Sequence, residues 1–314
     1  MKGRSVMDRG MNKIIIVRRR TRLEDLKRRY NTIEQAQFYV EHLGADFNDY
    51  LEEHENYYQA LDEVKLFADR YARVQVIDRE YIPNMIFGET DIVIAVGQDG
   101  LVANVLKYLN GQPLIGVNPD AIRYDGILLP FKANDMDTLI PDVINRKYKV
   151  KNITMGMAET KDGQVLYAVN DFFIGISNHT SARYHISYNN IVENQSSSGV
   201  IISTGLGMTG WHRSVMAEFQ GMAKAFNLGE VPLPKYEWDS RLLIFQVREP
   251  YPSRFTEAGL VYGNVTEKDE LHFVSDMSEN GIIFSDGMQD DAIEFNAGME
   301  LKVSIADRVG HLVV

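Results

Sequence analysis

One short segment restricts the folds open to this chain more than any other. Residues Ile92 to Val96 are continuously apolar, which is typical of a strand buried on both faces of a parallel sheet. The glycine loop Gly97-Gln98-Asp99-Gly100 follows, and then a helical pattern over 101–109 that ends at Asn110-Gly111. Residues 113–117 return as a strand. The segment predicts a β-loop-α-β unit, and therefore an α/β domain.

The rest of the first part of the chain shows the same alternation of strands and helices. Apolar runs predict strands at 14–17 and 74–77, and three- and four-residue spacing predicts helices at 32–43 and 48–71. The second helix carries Tyr and Leu side chains along one stripe, which is more typical of a core than of a cofactor site.

After about residue 130 the pattern changes to short strands separated by turns, with one helix at about 212–226. The predicted strands are 153–158, 165–169, 172–176, 184–188, 200–204, 242–247, 260–262, 270–274, 282–284, 292–295 and 301–305, with a hairpin turn at 161–164. The predicted architecture is an α/β domain at 1–130 followed by a β-rich domain at 131–314.

Composition excludes several classes of protein. The 314 residues are 45% hydrophobic and contain no cysteine, so a disulfide framework, a Cys-ligated metal and a cysteine nucleophile are excluded. No apolar run approaches the roughly 20 residues that span a bilayer, and the start of the chain leads into no apolar signal core. We therefore expect a cytoplasmic protein without a membrane partner.

Charge is distributed unevenly. The chain carries −11 overall, but residues 1–30 hold eleven Lys or Arg against three acids, leaving roughly −19 on the remainder. An acidic body does not wrap DNA, so no nucleic-acid partner is expected. The basic start fits an anion-binding arm or a transit peptide, and a solvated tail with the strand at 14–17 after it is the favoured interpretation. Met7 and Met11 are plausible alternative start residues.

No pattern predicts a bound structural metal. The seven histidines give no HxxH or HExxH pair, so a zinc site is not expected. The acidic run Asp286-Gly287, Asp290 and Asp291 looks superficially like a cation loop, but a solvated β-turn is the favoured interpretation.

The glycine loop at 97–100 has the character of a phosphate site. A tight loop between a buried strand and a helix N-terminus presents backbone N–H groups and the positive end of the helix dipole to an anion. Asp99 within it is a carboxylate of the kind that positions or deprotonates an attacking hydroxyl in phosphoryl transfer. The alternative is that Gly97 and Gly100 only make a turn and that Asp99 only caps the helix.

A second glycine loop follows the predicted strand at 199–204. Its glycines permit close approach of a backbone, its hydroxyl side chains offer hydrogen bonds, and Trp211 offers a face for a planar ring, a mixture that suits a nucleotide. The residues concerned are Thr204, Gly205, Gly207, Thr209, Gly210, Trp211 and Ser214. The alternative for Trp211 is a buried anchor for the helix that follows.

Three collinear segments together resemble the NAD kinase family, and its divergent mitochondrial-type branch in particular. Residues 95–101, AVGQDGL, look like the family's GGDGT loop, and 113–118 look like the strand after it. Residues 169–175, VNDFFIG, look like the Asn-Glu motif, and 197–211 are similar to SSG followed by TGTGSKAW. Arg248-Glu249-Pro250, the upstream Arg20-Thr21-Arg22 with Tyr30, and Glu52-Glu53-His54 add to a likeness that covers most of the chain.

The resemblance implies a Rossmann-like N-terminal α/β domain and a β-sandwich-like C-terminal domain, with NAD and ATP bound at their cleft. It implies transfer of the γ-phosphoryl group of ATP, with Mg²⁺, to the 2′-hydroxyl of the adenosine ribose of NAD, giving NADP. By the same likeness Asp99 is the catalytic carboxylate, Asn170 and Asp171 bind the dinucleotide, and Thr209, Gly210 and Trp211 line its pocket. A homo-oligomer, either a dimer or a tetramer, is implied as well.

The sequence departs from the family pattern within these motifs. Gln98 replaces a glycine and predicts an obstructed or reshaped phosphate loop, Leu101 removes a threonine hydroxyl, and Asp171 is one methylene shorter than Glu. Met208-Thr209 stands where the branch has Ser-Lys. These changes leave two alternatives to an NAD kinase: a related sugar or lipid kinase with another phosphoryl acceptor, or a dinucleotide sensor without kinase activity. NAD against NADH and ATP against polyphosphate stay open.

Overall fold

The computed structural model of the chain describes residues 13–229 and 232–314, which form two compact units. The first unit contains the described residues up to Val150 together with His311–Val314, and the second contains Lys151–Gly310. The start of the basic segment, with Met7 and Met11, lies outside the described residues.

The first unit is an α/β unit built on a parallel sheet. Its elements are β1 (Lys13–Arg18), α1 (Arg22–Tyr30), α2 (Ile33–His42), α3 (Asn48–Ala68), β2 (Arg73–Asp78), β3 (Ile92–Val96), α4 (Asp99–Leu106), β4 (Pro113–Val117) and α5 (Met136–Ile144). The strand order is β2-β1-β3-β4, all parallel, and His311-Leu312 pair in parallel with the outer side of β4.

The buried strand predicted from the apolar run is confirmed. All five residues of β3 are buried, because the sheet is covered on both faces, and β3 pairs with β1 on one side and with β4 on the other. The stripe of α3 is core, as predicted, with Tyr57, Leu61 and Val64 packed in the same cluster as Ile94.

The basic segment continues after β1 into a capped helix. Residues 22–30 form α1, whose capping box joins Thr21 and Glu24: the Thr21 hydroxyl accepts from the Glu24 N–H, and the Glu24 carboxylate accepts from the Thr21 N–H. The many basic side chains weaken the helical pattern of this segment, so α1 was not predicted. The predicted tail precedes the strand at 14–17; that strand is confirmed as β1, and the tail before residue 13 lies outside the described residues.

The boundary between the units differs from the predicted one at residue 130. Helix α5, which the sequence pattern did not predict because Pro141 interrupts it, packs with Met136, Ile140 and Val143 into the core that contains α3. The first unit therefore extends to Val150.

The second unit is antiparallel and β-rich, as predicted. Its elements are β5 (Val150–Thr160), β6 (Val165–Ala168), β7 (Asp171–Ile176), β8 (Ala182–Tyr188), β9 (Ile191–Ser197), β10 (Val200–Ser203), α6 (Trp211–Ala225), β11 (Leu243–Val247), β12 (Tyr262–Val265), β13 (Leu271–Ser275), β14 (Gly281–Ser285), β15 (Met288–Glu294) and β16 (Glu300–Val313). Strand β5 begins at the last residue of the first unit. Strand β9, polar at its C-terminal half, was not predicted, and β16 is longer than predicted because its end returns to β4.

Two sheets share the core of this unit. One has the order β12-β11-β10-β7-β14-β15, and the other contains β16-β13-β8-β9 with β5 and β6. Buried side chains from both sheets form a single cluster, including Phe172, Phe245 and Phe273, which is the arrangement of a β-sandwich. No helix within the described ranges combines the length and apolar character needed to cross a membrane.

Candidate functional site

The glycine loop of the first unit is shorter than the sequence indicated. Helix α4 begins at Asp99, so that Asp99 and Gly100 belong to its first turn, and Gln98 is its N-cap without a side-chain cap hydrogen bond. Gly97 is buried behind this turn, where a Cβ would lie 2.9 Å from a methyl group of Leu101. The start of α4 therefore presents backbone N–H groups without a capping side chain, as an anion site requires.

The Asp99 carboxylate is fixed by a neighbouring loop. Its two oxygens accept hydrogen bonds from the backbone N–H groups of Leu128, at 2.7 Å, and Ile127, at 3.3 Å. The alternative that Asp99 only caps the helix is not what the structure shows, because the N-cap is Gln98. Asp99 is partly exposed and held in one orientation, which suits a group that acts on a bound hydroxyl.

Gln98 fits its loop without strain. Its φ is −118° and its ψ is 164°, an extended conformation that any residue adopts. The predicted effect of the Gln98 side chain on phosphate binding stays a prediction. Burial raises the pKa of Tyr124, and the Gln98 side chain hydrogen-bonds the Tyr124 phenol, which acts against that rise. The Gln98 side chain is therefore held by a hydrogen bond to Tyr124.

Tyr124 belongs to a polar cluster at the carboxyl ends of β1 and β3. The cluster is centred on Glu53, which is 1% exposed and accepts from Arg19 at 2.6 Å, from Arg22 at 3.1 Å and from the Tyr124 hydroxyl at 3.1 Å. Although burial alone raises the pKa of Glu53, the hydrogen bonds and charges of Arg19 and Arg22 lower it below its ordinary value. Glu53 is therefore a buried carboxylate that fixes two arginines beside the loop.

In the second unit the Asn170-Asp171 pair forms a tight turn entering β7. Asp171 is 7% exposed, and burial together with the negative charge of Asp286 raises the pKa of its carboxyl to about 7. Asn170 is partly exposed. The pair thus offers one amide and one carboxyl of raised proton affinity.

Three members of the second glycine loop serve the chain's own packing. The buried Thr204 hydroxyl donates to the Val169 carbonyl oxygen at 2.6 Å, so the prediction of a ligand hydroxyl at Thr204 is corrected. A Cβ at Gly205 would lie 2.1 Å from the Glu237 carbonyl oxygen, and one at Gly207 would lie 1.9 Å from that of Asn170. The sequence predicted that these glycines make room for a ligand, whereas in the structure they make room for carbonyl groups of neighbouring backbone.

The end of the same loop is more open. Thr209 and Gly210 are exposed and precede α6, and the Thr209 hydroxyl donates to the Leu206 carbonyl oxygen at 3.0 Å. Ser214 is exposed one turn into α6. Thr209, Gly210 and Ser214 are thus the members of the predicted site that remain accessible beside Trp211.

Trp211 stands between two cavities of the second unit. Its ring stacks on Phe173, with centroids 5.7 Å apart, and on Phe284, while the Arg248 guanidinium lies 5.6 Å from its centroid. Trp211 and Arg248 line both a groove of about 780 Å³, which also contains Ser214 and Tyr262, and a cavity of about 390 Å³. Trp211 therefore packs against the aromatic side chains of β7 and β14 and also lines open cavities, and its role as a stacking face for a nucleotide stays a prediction.

Sequence reasoning missed two charged residues near this site. Arg248 was noted only as part of a motif, and Asp286 was interpreted as a solvated turn, whereas its carboxylate accepts from three backbone N–H groups of residues 169–171. The Asp-Gly dipeptide signalled the turn, but no local signal shows a bond that spans more than a hundred residues. The interpretation of Asp286 as solvated is wrong.

Within residues 13–229 and 232–314, no group of three or more His, Asp or Glu side chains is placed to hold a metal ion.

Comparison with known proteins bears on the fold. No family model matches the chain. A curated NAD kinase from Chloroherpeton thalassium (strain ATCC 35110 / GB-78) is 28% identical over 131 residues, which are 40% of this chain and 45% of that relative. The match therefore spans less than half of the curated relative's length.

Solved structures match over nearly the whole chain. The crystal structure of an NAD kinase from Archaeoglobus fulgidus in complex with ATP has a TM-score of 0.54 at 14% identity, covering 96% of this chain and 93% of that one. Yeast NADH kinase complexed with NADH has a TM-score of 0.56 at 13% identity, covering 97% and 84%. The chain has the fold of these kinases, and the likenesses support the NAD kinase family without distinguishing the mitochondrial-type branch.

Proposed function

We propose that this NAD kinase-like protein transfers the γ-phosphoryl group of ATP to the 2′-hydroxyl of the adenosine ribose of NAD, giving NADP and ADP. The observation that carries the proposal is the Asp99 carboxylate, oriented by two backbone N–H groups at the uncapped start of α4, directly after the buried strand β3. The NAD kinase fold supports this choice over a sugar or lipid kinase.

In the proposed reaction Asp99 accepts the proton of the 2′-hydroxyl as its oxygen attacks the γ-phosphorus. The bond between that phosphorus and the oxygen bridging to the β-phosphorus breaks, and ADP leaves with the electron pair. Mg²⁺ bound to ATP supplies charge neutralisation on the phosphates. The N–H groups of Ile127 and Leu128 orient the Asp99 carboxylate but do not use all of its lone pairs, so that one is left to accept the hydroxyl proton.

Dinucleotide binding is assigned to the second unit. Asn170 and Asp171 are proposed to hydrogen-bond the dinucleotide, with Thr209, Gly210 and Trp211 lining its pocket. The exposed amide of Gln98 is tethered to Tyr124, so its side chain is compatible with phosphate binding at the start of α4. A homo-oligomer, dimer or tetramer, stays a prediction.

The proposal is tested by incubating the purified protein with NAD or NADH, with ATP or polyphosphate, and with Mg²⁺, and by measuring NADP or NADPH. We expect product in at least one combination, and we expect Asp99→Asn to lower kcat by about 10²- to 10⁴-fold while dinucleotide affinity is kept. Asp125→Asn, the same change of charge at an exposed residue of the adjacent loop, is the control.

Two results would contradict parts of the proposal. Absence of product in every combination, above a heat-killed control, would exclude the kinase, and binding of NAD without turnover would instead establish a sensor. A folded Asp99→Asn variant with wild-type kcat would show that Asp99 only holds residues 127 and 128.

A further inference from the structure

The turn between β14 and β15 carries a carboxylate that reaches across to the Asn170-Asp171 pair. Asp286 and Gly287 occupy this turn with φ of 52° and 68°, the left-handed conformation that Asp, Asn and Gly tolerate in two-residue hairpins. The backbone N–H of Asp286 donates to the Asp171 carbonyl oxygen at 3.0 Å.

The side chain of Asp286 binds three consecutive N–H groups. Its carboxylate accepts from Val169 at 2.9 Å, from Asn170 at 2.6 Å and from Asp171 at 3.2 Å. A carboxylate is the only side chain that offers enough lone pairs, on two oxygens, to accept from all three donors. The choice of Asp at 286 is therefore tied to the shape of residues 169–171.

The same residues are held from the other side by the second glycine loop. Thr204 donates through its hydroxyl to the Val169 carbonyl at 2.6 Å and through its N–H to the Asn170 carbonyl at 2.9 Å. Each backbone N–H and C=O of residues 169–171 thus bonds either Asp286 or Thr204. These bonds hold the backbone of the turn, and none of them uses the side chain of Asn170 or Asp171.

We propose that Asp286 is a positioning residue for dinucleotide binding, which fixes the backbone of residues 169–171 and thereby preorganises the Asn170 and Asp171 side chains for nucleoside hydroxyls. This inference rests on the proposed function, because it takes those two side chains as the dinucleotide contacts. It assigns a role to a carboxylate more than a hundred residues away in the sequence, which itself contacts no substrate.

The charge of Asp286 affects the titration of Asp171, an effect that a purely structural role would not produce. Ser203 is the cross-strand partner of Asp171 in β10, and Asp286 is the charged group that acts on the Asp171 carboxyl. Burial and that charge raise the pKa of Asp171 to about 7. Neutralising Asp286 therefore lowers the pH at which Asp171 titrates.

The test compares Asp286→Asn with the wild-type chain. Asn keeps the left-handed turn but replaces one accepting oxygen by an NH₂ group, so the fold is retained while the N–H clamp is lost. Asp290→Asn, an exposed residue of the same hairpin, matches the change of charge. Titration calorimetry with NAD and with NADH, run from pH 5 to 9, gives the affinity.

We expect Asp286→Asn to raise the dissociation constant for the dinucleotide about tenfold or more, because the Asn170 and Asp171 side chains are then no longer held in the binding orientation. The KM for the dinucleotide should rise with it, while the KM for ATP and kcat change little. The pH midpoint of dinucleotide affinity should move downward, and hydrogen exchange at residues 169–171 should accelerate about tenfold or more. Asp290→Asn should leave all four unchanged.

The outcomes separate the two proposals. If the wild-type chain binds NAD or NADH and Asp286→Asn binds it equally well with the same pH midpoint, the role of Asp286 is overturned and the proposed function stands. If the wild-type chain binds neither, the proposed function fails, and the assignment of Asp286 to the dinucleotide is overturned with it. Accelerated exchange in Asp286→Asn with unchanged affinity would leave Asp286 as a fold residue only, which also overturns the proposal.

Discussion

Asp171 illustrates the energetic cost of a buried carboxyl beside a second carboxylate. Its carboxyl lies at the start of a buried strand, 7% exposed, next to a second carboxylate on Asp286. Both features disfavour the ionised form, so the residue holds its proton to about pH 7. A neutral isostere at this position would relieve the penalty, and the retention of a carboxyl is consistent with a role in binding.

Stability should therefore depend on pH through Asp171. A carboxyl whose pKa is raised on folding stabilises the folded state fully below its unfolded pKa, and this contribution is lost as pH rises towards about 7. We expect the free energy of unfolding of Asp171→Asn, relative to that of the wild type, to increase between pH 4 and pH 8 by up to about 4 kcal/mol. Urea unfolding at several pH values measures the difference.

The control for this prediction is Asp290→Asn, at an exposed carboxylate of the hairpin that carries Asp286. The difference in free energy of unfolding between Asp290→Asn and the wild type should not change with pH. If the difference for Asp171→Asn did not change with pH either, the raised pKa would not belong to Asp171.

At the level of elements, the glycine loop before α6 is shaped by contacts with other backbone. Gly207 lies against the Asn170 carbonyl and Gly205 against the Glu237 carbonyl, at distances that exclude any Cβ. Within α6, by contrast, Gly221 is exposed and has no atom within 4 Å of a Cβ position. One helix and the loop before it thus contain glycines under opposite physical constraints.

Alanine should have opposite effects at these two positions. Gly207→Ala forces the Asn170 turn and the loop apart, and we expect a loss of several kcal/mol, about 2 or more, in the free energy of unfolding. Gly221→Ala should stabilise by about 1 kcal/mol, because alanine is the better helix former in an exposed helix interior. Thermal and urea unfolding of both variants measures the effects, and equal stability of the two would refute the close contact at Gly207.

For the whole molecule, the last residues of the chain belong to the first unit, although they continue a strand of the second. Leu312 and Val313 are fully buried, Leu312 pairs with Leu114 of β4, and Val314 donates to the Lys149 carbonyl. This return of the C-terminus covers the edge of the parallel sheet, which would otherwise expose unpaired backbone groups.

Leu312→Ala should destabilise the first unit by about 2 to 5 kcal/mol through loss of buried volume. Five of the six α-helices described lie in this unit, so far-UV circular dichroism reports mainly on it, whereas both tryptophans, Trp211 and Trp238, lie in the second. We expect the circular-dichroism midpoint in urea to fall. Val314→Ala, at an exposed residue of the same segment, is the control, and an unchanged midpoint for Leu312→Ala would contradict the packing of the C-terminus.

The sequence by itself determined the elements whose signals are local. The apolar run at 92–96 predicted a strand buried on both faces, the spacing in 48–71 predicted a core helix, and the order of motifs predicted the kinase fold. Helices α1 and α5 escaped because arginine charge and Pro141 weakened the local pattern, although the capping box at Thr21 was legible.

Only the tertiary structure decided which polar groups meet. The Asp286 carboxylate binds N–H groups 115 to 117 residues away, Tyr124 meets Glu53 71 residues away, and the chain end returns to β4. Hydrogen bonds of this kind depend on how strands are ordered in a sheet, and strand order is set by the packing of the whole chain. For this reason the sequence could single out candidate residues, whereas only the tertiary structure showed which of them bind the chain's own backbone.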